Sequence, residues 1–280
     1  ELLHDKSRVV VSTVQTQIAG WGDDKRRMHR FKPDDFALLI LDEAHHAISP
    51  SWRAVIDHYR TNPKLKVLGV TATPKRFDRK AMSNVFETVV FDYNIRDGID
   101  EGWLVPVRQK YVTVEGLDFN QVKTSGDDFV EYELARQMEA ETPLHEVAST
   151  TLDIAGDRRT LIFCVSVKQA DQVTEILNRN KEGYARLVTG TTDKDVRRDM
   201  IRDYRCGAFQ FLINVGVATE GFDVQGISCI VMARPTKSAA LYLQMLGRGL
   251  RSNADAIDGI VSATDRRRAI KTSDKPDCLV

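Results

Sequence analysis

Short apolar runs alternate with longer amphipathic segments along most of the 280 residues. Runs of four to eight apolar or β-branched residues are typical of strands, whereas longer segments with apolar residues three and four apart are typical of helices. Strands that alternate with helices predict an α/β fold with parallel sheets. In the first part of the chain the pattern predicts strands at 8–12, 37–41 and 66–70, a further strand or turn at 85–93, and a helix at 51–60.

A second series of the same kind follows a polar stretch at 117–137, which is the predicted junction of two tandem α/β units. We therefore expect one domain at 1–105 and another at 106–280, with a linker region at about 106–133. Beyond the junction the pattern predicts a helix near 134–154, strands at 160–167, 184–189, 209–215 and 227–233, helices at 168–180 and 193–207, and a strand at the end of the chain.

The composition of the chain excludes some classes of protein but does not identify one. Forty Lys and Arg balance forty Asp and Glu, so any affinity for nucleic acid must come from local charge. The four cysteines lie far apart without a C-x-x-C pair, which argues against a zinc site and favours a reducing, cytoplasmic setting. No apolar run approaches the ~18 residues of a membrane span. Because the chain begins with Glu and ends on an apolar run, we expect a longer protein around it.

The six apolar residues at 36–41 predict a buried strand that leads directly into Asp42 and Glu43. Ligands of open α/β sheets gather beyond the carboxyl ends of strands. One carboxylate there can hold the Mg²⁺ of a nucleotide, and the next can deprotonate an attacking water. A solvated turn is the simplest alternative, but a tetrapeptide such as "DEAH" arises by chance in well under ~1% of chains this long. His45 and His46 lack the H-E-x-x-H spacing of a metal site.

Other segments accompany this one in a fixed order. They are "VSTVQT" at 11–16, "LILDEAHH" at 39–46, "TAT" at 71–73, "LIFCVSV" at 161–167, "NVGVATEGFDV" at 214–224 and "QMLGRGLR" at 244–251. They resemble motifs Ib, II, III, IV, V and VI of the superfamily 2 helicases. The sequences of motifs V and VI are most similar to those of RadD-like DEAD/DEAH-box proteins of bacteria and phages. The resemblance implies two tandem RecA-like domains with parallel sheets flanked by helices, the first truncated at its N-terminus.

The resemblance also implies roles for the residues around the carboxylates. Asp42, with Glu43 beside it, would hold Mg²⁺, and Glu43 would be the general base for ATP hydrolysis. His45 would link the nucleotide site to the second domain. Thr71 and Thr73 would help couple hydrolysis to domain motion, and the simpler interpretation of a hydroxyl-rich turn before Pro74 is compatible with that role.

Motifs V and VI would complete the nucleotide site. Arg248 and Arg251 would stabilise the charge of the phosphoryl-transfer transition state by bidentate hydrogen bonds. Three residues apart, they are expected on one face of a helix, with Gln244 one turn earlier. The alternative is a surface helix end with glycine at its cap. Gly221 would allow close backbone approach to the nucleotide, and Asp223 would accept a hydrogen bond from ribose or be an ordinary turn carboxylate.

Polar loop residues are the candidates for contact with nucleic acid, DNA being the expected partner more than RNA. Neutral hydroxyls and amides often meet the sugar-phosphate backbone. The candidates of this kind are Thr13, Gln15, Thr189, Thr191 and Thr219. The basic runs at 24–30 and 265–271 are expected to be solvated, and the motif IV side chains at 163–165 are expected in the core.

The phosphate-binding loop G-x-x-x-x-G-K-[ST] is not found in the sequence. The nearest segment, at 69–76, has Pro74 where the second glycine belongs and Arg76 where the hydroxyl belongs. We therefore expect an ATP-dependent helicase or translocase, with ATP and Mg²⁺ as cofactors, in the intact protein and little hydrolysis from these residues alone. A catalytically silent nucleic-acid-binding scaffold is the alternative. A transporter-type motor has no reason to carry motifs V and VI.

Overall fold

The computed structural model describes residues 8–20, 25–71, 83–126, 128–216, 224–253 and 255–280. Contacts divide the described chain into two compact units, one ending at Asp92 and the other beginning at Tyr93. Parallel strands and helices build both units, so the predicted α/β class is confirmed. None of the helices in the described ranges is long and apolar enough to cross a bilayer.

The first unit is built on two parallel strands, β1 (Leu38–Leu41) and β2 (Lys66–Gly69). A 3-10 turn at Ala44–Ile48 and helix α2 (Pro50–Tyr59) connect them, and α1 (Val14–Ile18) packs against α2. Proline suits the first position of α2, since its missing N–H would have no partner within the first helical turn. The strands predicted at 37–41 and 66–70 and the helix predicted at 51–60 are therefore confirmed.

Strand β1 buries one of its two faces. Leu39 and Leu41 pack in a cluster with Ile56 of α2, whereas Leu38 is 49% and Ile40 59% exposed. Alternate side chains of a strand point to opposite faces, so a single covering layer buries only every second residue. The prediction of a buried strand is therefore confirmed for one face of β1 and wrong for the other within the described structure.

The predicted strand at 8–12 is also wrong, because residues 8–13 belong to no helix or strand. A strand needs a neighbour for its N–H and C=O groups, and within the described first unit residues 8–13 pair with neither β1 nor β2. Residues 85–93, which the sequence left open between strand and turn, form a turn at their start and irregular chain after it.

The second unit contains a larger parallel sheet. Its strands are β3 (Val107–Arg108), β6 (Thr160–Cys164), β7 (Ala185–Val188), β8 (Phe211–Asn214), β9 (Cys229–Ala233) and β10 (Cys278–Leu279). From edge to edge the order is β3-β10-β9-β6-β8-β7. A separate antiparallel hairpin is formed by β4 (Thr124–Ser125) and β5 (Asp128–Phe129). All four predicted internal strands and the predicted strand at the chain end are confirmed.

Helices cover both faces of the six-stranded sheet. They are α3 (Ile95–Asp100), α4 (Glu131–Met138), α5 (Glu141–Ala155), α6 (Val167–Asn180), α7 (Lys194–Arg205), α8 (Ala239–Leu250) and α9 (Ala263–Thr272). Leu161 and Phe163 of β6 enter one core, with residues of α7, α8 and α9. Ile162 and Cys164 enter the other core, with residues of α5 and α6. Burial on both faces explains why these strands are continuous apolar runs.

The helix predicted near 134–154 is two helices, α4 and α5. The chain leaves helical geometry at Ala140, which is extended with φ −69° and ψ 150°. Pro143 lies in the first turn of α5, where its missing N–H leaves no hydrogen bond unmade. A proline within a helical pattern was the sequence signal for this break.

Residues on both sides of the predicted boundary at 105/106 lie in the second unit. Leu104 and Val105 pack against its core, and the Val105 N–H donates to the Leu250 carbonyl at 2.8 Å. The region at 106–133, which was predicted as a linker, contains β3 and the β4–β5 hairpin. Whether these units are the functional domains stays a prediction.

Helix α8 lies close to the sheet at Gly249. A Cβ added there would clash with Cys278 Sγ and lie 2.8 Å from Ile230 Cγ1. Gly249→Ala is therefore expected to lower the free energy of unfolding by about 1–3 kcal/mol, measured by urea denaturation. Gly247→Ala is the matched control in the same helix, because nothing lies within 4 Å of the added Cβ. It should raise stability by up to about 1 kcal/mol, and equal midpoints for the two variants would contradict the packing argument.

Candidate functional site

Asp42 and Glu43 lie at the carboxyl end of β1, as predicted. Glu43 has left-handed backbone geometry, with φ 51° and ψ 47°, and its N–H donates to Asp42 Oδ1 at 2.9 Å. The next N–H, that of Ala44, donates to the Val70 carbonyl at 2.9 Å and ties this turn to the end of β2. A left-handed residue other than glycine costs about 1–2 kcal/mol. Such strain clusters at functional sites.

His45 connects the ends of the two strands. Its Nδ1 atom lies 3.1 Å from Thr71 Oγ1 and 3.3 Å from Glu43 Oε2. The imidazole and the Glu43 carboxylate are both half-buried, which limits competition from water for these contacts. The structure thus brings together His45 and Thr71, two of the three predicted coupling residues. Thr73 lies outside the described residues.

The carboxylates fit the donor set of a magnesium site. Magnesium usually takes one or two protein carboxylates and completes its shell with waters and phosphate oxygens. Asp42 is exposed at the strand end with Glu43 beside it, which suits this mode of binding. Within the described ranges no group of three or more His, Cys, Asp and Glu could hold a metal ion by itself.

Gln244 and Arg248 lie one turn apart on α8, both half-buried. Helix α8 ends at Leu250, and Arg251 is its C-cap residue, with φ −64° and ψ 137°. The Arg251 backbone forms an isolated antiparallel β-bridge with Leu104. Its carbonyl accepts a hydrogen bond from the Lys275 ammonium. Burial lowers the pKa of Lys275 to about 8. Tertiary contacts thus hold the backbone at the end of α8, and the shared face of the two arginine side chains stays a prediction.

The alternative interpretation of this segment, a surface helix end with a glycine cap, is wrong. Gly247 and Gly249 lie inside α8, and Gly249 is needed for close approach to the sheet. The side chains at 163–165 of motif IV are buried, as expected. The motif V candidates Thr219, Gly221 and Asp223 lie outside the described residues.

The threonines of the loop after β7 form hydrogen bonds with one another. Thr189 Oγ1 lies 2.9 Å from Thr191 Oγ1, and the Thr189 N–H donates to Thr192 Oγ1 at 2.9 Å. Arg197 Nη2 donates to three carbonyls of this loop, including that of Thr189 at 3.1 Å. Thr189 is 8% exposed, whereas Thr191 is exposed. Of the two candidates, Thr191 is therefore the more accessible to a nucleic-acid backbone.

Thr13 begins α1, where its Oγ1 accepts a hydrogen bond from the Thr16 N–H at 3.1 Å. This hydroxyl therefore has a structural role as a helix cap. Gln15 is exposed, whereas Gln17 is buried and accepts a hydrogen bond from the Tyr59 hydroxyl at 3.0 Å. Burial raises the pKa of Tyr59 to about 12. Sequence reasoning missed this buried pair, and the contact of Thr13 and Gln15 with nucleic acid stays a prediction.

Comparison with known proteins gives consistent matches. Residues 144–253 match the family described as "Helicase conserved C-terminal domain", and residues 3–76 match "Type III restriction enzyme, res subunit". "Putative ATP-dependent helicase IRC3" of Saccharomyces cerevisiae is 33% identical over 253 residues, which cover 88% of this chain and 35% of that protein. "Type I restriction enzyme EcoAI endonuclease subunit" of Escherichia coli is 22% identical over 262 residues, covering 84% and 32%.

A solved structure supports the same assignment. A "fragment structure of a putative HsdR subunit of a type I restriction enzyme" from Vibrio vulnificus YJ016 aligns with a TM-score of 0.61 and 25% identity, over 81% of this chain and 42% of that one. The chain belongs to the superfamily 2 helicases, and its fold is RecA-like. It spans about a third of the length of these two curated relatives. Its placement in the RadD-like subgroup stays a prediction.

Proposed function

We propose that the protein is an ATP-dependent helicase or translocase that acts on DNA. The observation that carries this proposal is the cluster of Glu43, His45 and Thr71 at the carboxyl ends of β1 and β2. Ligands of parallel α/β sheets bind at this edge. The helicase family of the chain supports ATP as the ligand.

In this proposal the residues after β1 activate the attacking water. Glu43 accepts a proton from the water, and the His45 imidazole lies beside the carboxylate, with Nδ1 3.3 Å from Oε2. Asp42 would hold Mg²⁺, which would neutralise charge on the nucleotide phosphates when bound. His45 also contacts Thr71, and through this contact a change at the nucleotide would reach the segment that follows β2.

The residues of α8 stabilise charge in the same reaction. The Arg248 guanidinium can donate two parallel hydrogen bonds to phosphate oxygens, and Gln244 lies one turn before it. Arg251, the residue at which α8 ends, is proposed to stabilise the same charge. Gly221 and Asp223 are proposed to contact the nucleotide, as the resemblance to motif V implies.

The proposal of DNA rather than RNA is supported by the restriction enzymes among the relatives. Thr13, Gln15 and Thr191 are exposed and are the proposed backbone contacts, with Thr189 and Thr219 as further candidates. The test is the ATPase rate of the full-length protein with and without single-stranded DNA, duplex DNA and RNA. Strong stimulation by DNA is expected. Nucleic-acid binding without turnover would support the silent scaffold instead.

The missing phosphate-binding loop leads to a further prediction. The 280-residue chain alone is expected to hydrolyse ATP at least about 100-fold more slowly than the full-length protein, because positioning of the phosphates is lost. Both proteins would be assayed with saturating DNA, and circular dichroism would show that the shorter one is folded. Equal rates would mean that other residues hold the phosphates.

A further inference from the structure

The β4–β5 hairpin packs on the loop that joins β9 to α8, residues 234–238. Thr124 pairs with Phe129 and Ser125 with Asp128. Strands of two residues cannot be stable alone, so contacts with the rest of the unit must hold this hairpin in place. Sequence analysis placed these residues in a linker and gave them no function.

Asp128 makes the central contacts between the hairpin and the loop. Its Oδ2 accepts a hydrogen bond from Thr236 Oγ1 at 2.7 Å, and its Oδ1 accepts one from the Lys237 N–H at 2.8 Å. Hydrogen bonds to an ionised carboxylate are shorter and stronger than neutral ones. A single side chain of the hairpin thus holds two consecutive residues of the loop.

The same loop residues build the start of α8. The Ser238 N–H donates to Thr236 Oγ1 at 2.9 Å, and Ser238 Oγ accepts from the Leu241 N–H at 3.1 Å as the helix cap. Ser238 is buried. Hydrogen bonds therefore run without interruption from Asp128 through Thr236 and Ser238 into the first turn of the helix.

Two further contacts fix the hairpin against the loop. Lys237 Nζ donates to Thr124 Oγ1 at 2.8 Å and lies 4.6 Å from the centre of the Phe129 ring. Arg234 Nη1 lies 3.3 Å from Glu131 Oε1, just after the hairpin. Each contact of this kind contributes little at an exposed site. Together with Asp128 they give the loop a defined position.

The hairpin also reaches the central strand of the sheet. Phe129 packs on a cluster that contains Val122, Leu134 and Val165, and Val165 directly follows β6. The loop at 234–238 directly follows β9, the neighbour of β6. The hairpin therefore spans the carboxyl ends of two adjacent parallel strands, at the edge of the sheet where ligands bind.

We propose that the β4–β5 hairpin positions α8, with Asp128 as the positioning residue that sets where Gln244 and Arg248 meet the nucleotide. The proposal rests on the proposed ATPase function. Asp128 does not act on the nucleotide itself in this proposal. It acts through the loop and the helix cap, so its loss should affect the catalytic step more than the binding of ATP.

The test is Asp128→Ala in the full-length protein, with two measurements. Hydrogen exchange should become faster at the amides of residues 237–242, because the loop and cap lose their support. The DNA-stimulated kcat should fall about tenfold with little change in KM for ATP, since small misplacements of catalytic groups are costly. Asp128→Asn should restore part of both, because its amide oxygen can accept from the Lys237 N–H and its NH2 group can donate to Thr236 Oγ1.

Two further variants make the test specific. Asp118→Ala is the matched control in the same region, because Asp118 side-chain contacts with Asn120 and Gln121 stay within its own turn. It should leave exchange in α8 and kcat unchanged. Thr236→Val removes the hydroxyl between Asp128 and Ser238, and combining it with Asp128→Ala should add little to either single effect.

The outcomes separate this proposal from the function on which it rests. Unchanged exchange at 237–242 in Asp128→Ala would overturn the positioning role, whether or not the protein hydrolyses ATP. Faster exchange with an unchanged kcat would show a structural support without catalytic consequence and would overturn it too. No turnover in the wild-type protein, with exchange still faster in the variant, would instead overturn the proposed function.

Discussion

Glu43→Gln is expected to lower the DNA-stimulated ATPase rate of the full-length protein by about 100- to 10,000-fold, the usual contribution of a general base. Glutamine keeps the size of the side chain, and its amide oxygen can still face His45, which lies 3.3 Å from the carboxylate. It cannot accept the proton of the attacking water. The variant should therefore bind ATP and DNA as the wild type does and fail only in turnover.

The matched control for Glu43→Gln is Asp57→Asn in the same unit. Asp57 is an exposed carboxylate on α2 that pairs with Arg53 at 3.5 Å, and exposed pairs of this kind contribute little. Steady-state rates and nucleotide binding would be measured for both variants. A Glu43→Gln protein that retains more than about a tenth of the wild-type rate would show that another group takes the proton.

Arg248→Ala is expected to lower kcat by about 1,000- to 100,000-fold, the range for an arginine that stabilises the phosphoryl-transfer transition state. Arg248→Lys should restore little activity, because an ammonium cannot form two parallel hydrogen bonds with phosphate oxygens. Single-turnover rates at saturating ATP would separate this loss from weaker binding.

Arg179→Ala provides the control for a lost surface guanidinium. Arg179 is exposed on α6 and pairs with Glu175 at 2.8 Å one turn away, so its removal should leave the rate unchanged. Full rescue of Arg248→Ala by lysine would contradict the bidentate role. It would indicate that positive charge alone is required at this position.

Much of the second unit could be predicted from sequence, because its strands are buried on both faces. All residues of β6 and β8 are buried, and such strands appear as continuous apolar runs between polar segments. The β4–β5 hairpin has no such signal. Its position depends on Thr236 and Lys237, which are distant in sequence, so local patterns could not reveal it.

The candidate site was predictable where local sequence determines it. The apolar run before Asp42 and Glu43 places both carboxylates at a strand end, as observed. The contacts at the end of α8 were not predictable, because they come from residues distant in sequence: the Leu250 carbonyl accepts a hydrogen bond from the Val105 N–H, and the Arg251 carbonyl accepts one from Lys275. Local sequence carries no signal for contacts of this kind.

Because Glu43 has left-handed backbone geometry, replacing it with glycine would raise thermal stability and lower activity. Glycine adopts this geometry without the steric penalty of a side chain, so a screen that rewarded only heat resistance would favour Glu43→Gly. The selected variants would have higher thermal stability but would lack the carboxylate that we propose activates water. Engineering of this chain for stability should therefore leave position 43 unchanged and seek its gains elsewhere, such as at Gly247.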